Sequence, residues 1–128
     1  MPAKTIIKPA HAAPALGPYN HGVRIGDLLF CAGQIPLDPA QASGPLPPDI
    51  KAQTVRVLEN IKLILADQQL TFAHVVKTTV FMTNLADFAA MNEVYATYFT
   101  ADFPARSTVQ VAALPRGAQI EIEVVAHY

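Results

Sequence analysis

Apolar and polar positions alternate along the last quarter of the chain. In Arg106-Ser107-Thr108-Val109-Gln110-Val111 the two valines share one side, and in Ile120-Glu121-Ile122-Glu123-Val124 the isoleucines and Val124 share one side. A period of two is the mark of strands with one buried face. The Pro/Gly-containing turn Leu114-Pro115-Arg116-Gly117 separates them. Thr108 and Gln110 stand opposite the valines, and Glu121 and Glu123 opposite the isoleucines. Arg106 stands at the entry to the first strand, just after Pro104, whose ring fixes the approach. Were the two strands neighbours, a guanidinium and a carboxylate would face a common space. On residue types alone such a pair is a surface ion pair worth ~0–1 kcal/mol.

The period changes upstream. Ile50, Thr54, Val57/Leu58, Ile61 and Leu65 recur at helical spacing behind Asp49, a good N-cap, and predict a long amphipathic helix ending near Gln69. His74 to Thr83 is rich in β-branched and aromatic residues, with apolar side chains on both faces. It reads as a central strand covered on both sides, by a helix on one and by another subunit on the other. Asn84 caps a second helix, roughly Leu85 to Thr100, whose apolar stripe is Leu85, Phe88, Met91, Tyr95 and Phe99. Asn92 falls on that stripe, where a buried amide needs partners. Its expected role is to tie the helix to a backbone group elsewhere.

Nearer the start, Thr5-Ile6-Ile7 reads as a short strand, and Gly22–Ile25 and Leu28–Ala32 as a hairpin across Gly26-Asp27. His11 to Tyr19 reads as a loop. The segment from Asp38 to Pro48 carries Pro39, Pro45, Pro47 and Pro48 and is the expected mobile loop. The order of elements is an α+β pattern in a single domain spanning 1–128.

Composition adds three constraints. The chain is 52% hydrophobic and only 15% charged, more apolar material than one small core needs, which points to burial between subunits. The net charge is −1 with scattered lysines and arginines, so no basic stripe marks a nucleic-acid partner. The lone Cys31 forms no intrachain disulfide and fits a reducing compartment. No apolar stretch is long enough for a signal-peptide core or a membrane span, and the expected location is the cytoplasm.

Several segments together resemble the Rid family, the reactive intermediate deaminases also called YjgF or L-PSP. They are Gly17-Pro18-Tyr19, Gly33-Gln34-Ile35-Pro36, Gln53-Thr54 through Leu58-Glu59-Asn60-Ile61, Val75 to Phe81, and Leu85 with Asp87-Phe88, Asn92 and Tyr95. Pro104-Ala105-Arg106-Ser107 and Ile120-Glu121-Ile122-Glu123 follow in the family's order. The resemblance implies a chorismate-mutase-like α+β fold, a mixed six-stranded sheet with two helices packed on one face. It also implies a homotrimer with clefts between subunits. The implied reaction is hydrolysis of 2-imino or enamine acids (2-iminobutanoate, 2-iminopropanoate) to 2-keto acids and ammonia, with neither metal nor organic cofactor.

On that resemblance Arg106 binds the substrate carboxylate as a fork. Glu121 orients water and shuttles protons. Backbone groups near Gly33 and Thr108 hold the water and the developing charge. Tyr19 closes the cleft with its phenol, and Asn92 supports the architecture. Three positions depart from the family pattern: Ala32 replaces a serine and loses its hydroxyl, Thr108 replaces a cysteine, and Asn20-His21 replaces Ser-Gln. The Ala32 change bears on substrate preference or rate. Imine hydrolysis needs no thiol, so Thr108 is compatible with activity. Cys31 alternates to the other face of its strand and reads as a core residue. Three alternatives stay open: a deaminase of a larger, aminomuconate-type enamine, a non-enzymatic carboxylate binder or chaperone-like protein, and a ribonuclease, which the near-neutral charge disfavours.

Overall fold

Asp49 begins the longest helix: its extended backbone and its Oδ1, which accepts from the Ala52 N–H at 2.8 Å, close the first turn. This helix, α1 (Ile50–Asp67), lays Val57, Leu58, Ile61, Ile64 and Leu65 against a sheet with almost no exposure. The computed structural model describes residues 3–128. Its strands are β1 (Thr5–Ile7), β2 (Gly22–Ile25), β3 (Leu28–Gln34), β4 (Val75–Met82), β5 (Ala105–Gln110) and β6 (Ile120–His127). The second helix, α2 (Phe88–Tyr98), follows β4, and Asn84 caps a 3-10 turn ahead of it by accepting from the Ala86 N–H.

The sheet runs β1-β2-β3-β6-β4-β5. It is mixed, because β5 is parallel to β4 while the other pairings are antiparallel. Both helices cover one face, as the resemblance implies. The alternation of β6 decides which side chains reach them: Ile120, Ile122, Val124 and Ala126 are buried beneath the helices, and Glu121, Glu123, Val125 and His127 point away. The hairpin turns at Gly26, whose φ of 56° is the left-handed conformation glycine tolerates.

Three expectations change. The last two strands are not neighbours: β5 and β6 lie on opposite sides of β4, because a parallel β5 reaches β4 through the α2 crossover. Within the chain β4 is covered on one face, and its other face, with Val76 43% exposed, is the one expected to meet another subunit. In the second helical segment Met91, Tyr95 and Phe99 are buried, but Leu85 and Phe88 are not, since a 3-10 turn rotates the start away from the core. The proline-rich loop is tied down: Arg116, at φ 62°, donates to the carbonyls of Ala42 and Gly44 at 2.8 and 2.9 Å.

A buried amide joins α1 to the chain after β3. Asn60 donates to the carbonyls of Ile35 and Leu37 and accepts from the Arg56 Nε–H. Asn60→Ala leaves both carbonyls buried without that donor, and should lower unfolding free energy by about 2 kcal/mol or more, read from urea denaturation.

Candidate active site

The sequence-predicted residues fall into two groups on opposite faces of the sheet. The first surrounds Glu121, which alternation turns away from the helices. Opposite it, β3 carries an irregularity: Cys31 pairs with Val124 and Gln34 with Ile122, so one residue is extra. Such a bulge re-aims the local backbone. Here it lays Gly33 against the Glu121 carboxylate, so closely that a methyl at position 33 would stand only 2.9 Å from Cδ and overlap the carboxylate oxygen. Gly33 is required for this approach, not for an unusual backbone angle.

Around them is a small cavity of about 60 Å³, lined by Tyr19, His21, Gly33, Gln34, Pro115 and Glu121 among others. The loop before β2 brings Tyr19 over it. The phenol oxygen accepts from the Leu16 N–H at 3.2 Å. Burial pushes the Glu121 carboxyl above its ordinary range, and the negative charge of nearby Glu123 adds to the shift. A carboxyl poised nearer neutrality is better suited to exchange protons. Ala32, beside Gly33 in the bulge, contributes its backbone: its N–H donates to the His21 carbonyl at 2.9 Å. Cys31 points into the core, where desolvation raises its thiol to about 12, so it is no nucleophile.

The second group surrounds Arg106. It lies level with Thr78 and Val124, on the helix side, whereas Glu121 lies level with Phe81 and Val109 on the other side. Three residues separate the two rows, about 10 Å along the strands. A common space for Arg106 and Glu121 within one chain is therefore excluded. The Arg106 Nη1 donates to the Asn92 Oδ1 at 2.8 Å, so the partner of the Asn92 amide is this guanidinium and not a backbone group. The guanidinium carbon stands 4.7 Å from the centre of the Tyr95 ring and 5.4 Å from that of Phe88. Tyr95 is itself fixed by Thr78, 2.9 Å from its hydroxyl. Arg106 and Asn92 border a pocket of about 340 Å³ with Tyr95, Phe99, Phe103 and Pro104.

Thr108 follows on the same face as Arg106. Its hydroxyl is buried and has no hydrogen-bond partner among the described residues. Because β5 is the last strand of the sheet, half of its backbone N–H and C=O groups point outward, unpaired by the sheet. Two residues escaped the sequence reading. Gln34 and His21 bond to one another at 3.2 Å beside Glu121. Their signal was the Gly33-Gln34 motif and the unusual Asn20-His21 pair, but only folding brings the two together across 13 positions. Among the described residues, no helix is long and apolar enough to cross a membrane.

Known proteins match this chain over nearly its whole length. A family model described as Endoribonuclease L-PSP matches residues 10–128. The protein DfrA of Myxococcus xanthus is 49% identical over 126 residues, covering 97% of this chain and 95% of that protein. A 2-iminobutanoate/2-iminopropanoate deaminase of Escherichia coli is 44% identical over 119 residues, covering 91% of each. The crystal structure of E. coli TdcF with bound serine superposes with a TM-score of 0.90 at 42% identity, covering 97% of this chain and 98% of that one. With the family model, the sequences and the fold in agreement, this chain belongs to the Rid family, also known as YjgF or L-PSP.

Proposed function

We propose that this protein hydrolyses small 2-imino or enamine acids, such as 2-iminobutanoate and 2-iminopropanoate, to 2-keto acids and ammonia. The observation that carries the reading is the desolvated Glu121 held against Gly33 beneath Tyr19, a proton-exchanging carboxyl in a cavity with room for a few waters. Arg106, held by Asn92 on one nitrogen, has further N–H donors for the substrate carboxylate. Glu121 takes a proton from water as its oxygen adds to the imine carbon. It then returns that proton to the nitrogen to give the carbinolamine, and a second transfer through Glu121 carries the hydroxyl proton to the amino group as the C–N bond breaks, so that ammonia leaves and the carbonyl forms. Outward-facing backbone groups of β5 near Thr108, and those of the Gly33 bulge, stabilise the developing charge.

One chain holds these parts on opposite faces, so the site is completed between copies, with Arg106, Asn92 and Thr108 from one and Glu121, Gly33 and Tyr19 from the next. A homotrimer has three such clefts. The uncovered face of the sheet supports assembly: Leu28, Phe30 and Val109 are 39%, 44% and 42% exposed. Relatives named as deaminating 2-iminobutanoate and solved with serine support the substrate class. The formal charge of −1 does not favour ribonuclease activity.

The direct test couples the protein to a threonine dehydratase and follows 2-ketobutyrate release where free imine decays slowly. Acceleration is expected, and its absence with both threonine- and serine-derived imines would remove the reading. Arg106→Ala should lower kcat/KM by ~2 kcal/mol or more through lost carboxylate binding. Glu121→Gln should lower kcat while KM changes little. The wild-type rate should fall with acidity at a pH above the ordinary glutamate range, because burial favours the protonated acid. Mixing the two variants and letting subunits exchange should restore about a quarter of wild-type activity, since one cleft in four then receives both intact residues. No recovery would exclude a site shared between copies. Gly33→Ala should displace the Glu121 carboxylate and cut turnover with little loss of stability. Its effect should largely vanish in the Glu121→Gln background.

A further inference from the structure

His21 stands where the family pattern has a different residue, and its ring closes the base of the loop that carries Tyr19. The ring Nε2 bonds to the carbonyl of Ala13, and the ring Nδ1 lies 3.2 Å from the Gln34 side-chain nitrogen. A carbonyl only accepts, so Nε2 carries the proton, and a neutral ring then leaves Nδ1 as an acceptor. Gln34 fits this state: the same nitrogen also donates to the Ala32 carbonyl at 3.3 Å. Turning the Gln34 amide over would set its oxygen against the Ala32 carbonyl and the Nδ1 lone pair together. The network is thus self-consistent in one tautomer.

We propose that His21 is a positioning residue: its neutral ring latches the loop from Ala13 to His21 onto β3 and so holds Tyr19 over Glu121, and protonation opens the latch. This rests on the site described under the proposed function. A proton on Nδ1 would face the Gln34 N–H, donor against donor. If Gln34 turned over to accept it, the amide oxygen would meet the Ala32 carbonyl. Either arrangement loses hydrogen bonds that hold the loop. The titratable and charged groups nearby are Tyr19, whose ring meets that of His21 edge-on at 6.4 Å, Glu121 across the same cavity, and Lys8 beyond β1 on the other side of the loop. Ala13, Pro14, Gln34 and Ile35, which complete the surroundings, are uncharged.

The ring can be observed directly. In the full-length protein, ¹⁵N spectra of the histidine rings, assigned by loss of the His21 signals in His21→Gln, should show the Nε2–H tautomer at about pH 8. Deuterium exchange of residues 13–21, compared with His21→Gln at each pH so that intrinsic exchange cancels, should rise in the wild type alone as the pH falls over the range in which imidazoles change charge, about 8 to 5. His21→Ala should speed that exchange and lower kcat about tenfold, the worth of one or two hydrogen bonds, with KM little changed. His21→Gln, which offers one donor and one acceptor, should recover most of that loss at pH 8 and lack the added acid sensitivity. An Nδ1–H tautomer, or equal exchange in wild type and His21→Gln at every pH, would overturn the latch. So would His21→Ala turning over like wild type. If the wild type showed no deaminase activity, the proposed function would fall, and the tautomer and exchange measurements would still decide the latch.

Discussion

Strand β6 lies in the middle of the sheet and cannot slip by one residue without turning Ile120, Ile122, Val124 and Ala126 out of the core. Each of the three large side chains contributes about 1.5–3 kcal/mol by burial. That cost fixes the register of β6 against β3 and β4, and with it the direction of every alternate residue. Glu121 faces away from the helices because its two neighbours must face them. Hydrophobic packing therefore aims a group of the candidate site without any contact to that group itself.

The same constraint divides the site. On the helix side Arg106 is set by contacts with α2: Asn92 takes one of its donors, and the rings of Tyr95 and Phe88 flank its charge. On the open side Glu121 is set by the β3 bulge, and the absent side chain of Gly33 is what lets the carboxylate come so close. The departures at Ala32 and Thr108 bear on these arrangements differently. Ala32 serves through its backbone, which a missing hydroxyl leaves intact. The Thr108 hydroxyl is enclosed, so at that position the polar groups that face outward are those of the main chain.

Apolar surface left uncovered by one chain agrees with this division. Val109 and Phe30 project from the face that also carries Glu121 and Glu123, and no helix among the described residues covers it. A second copy seated there would bury that surface and could bring an Arg106 edge to a Glu121 cavity. Assembly and catalysis would then have one physical origin, the lack of a second helical layer.

Much of this was legible in the sequence, because it depends on short-range periodicity and local chemistry. The 3.6-residue spacing from Ile50 to Leu65 marked α1, Asp49 its start, and the alternation from Ile120 to Val124 both the strand and the outward direction of Glu121. The combined motifs marked the family. Which strands would be neighbours was a different matter, since pairing depends on contacts between distant segments. Val109 and Ile122 look equally suited to lie side by side, yet β4 comes between them because the α2 crossover favours a parallel β5. Alternation likewise shows that Arg106 and Glu121 each have a face, but not that the faces are opposite, which only the shared register with β4 decides. The contact of Gly33 with Glu121 and the bond of His21 to Gln34 arise from a bulge and a loop closure, features that place residues by three-dimensional proximity and leave no period in the chain.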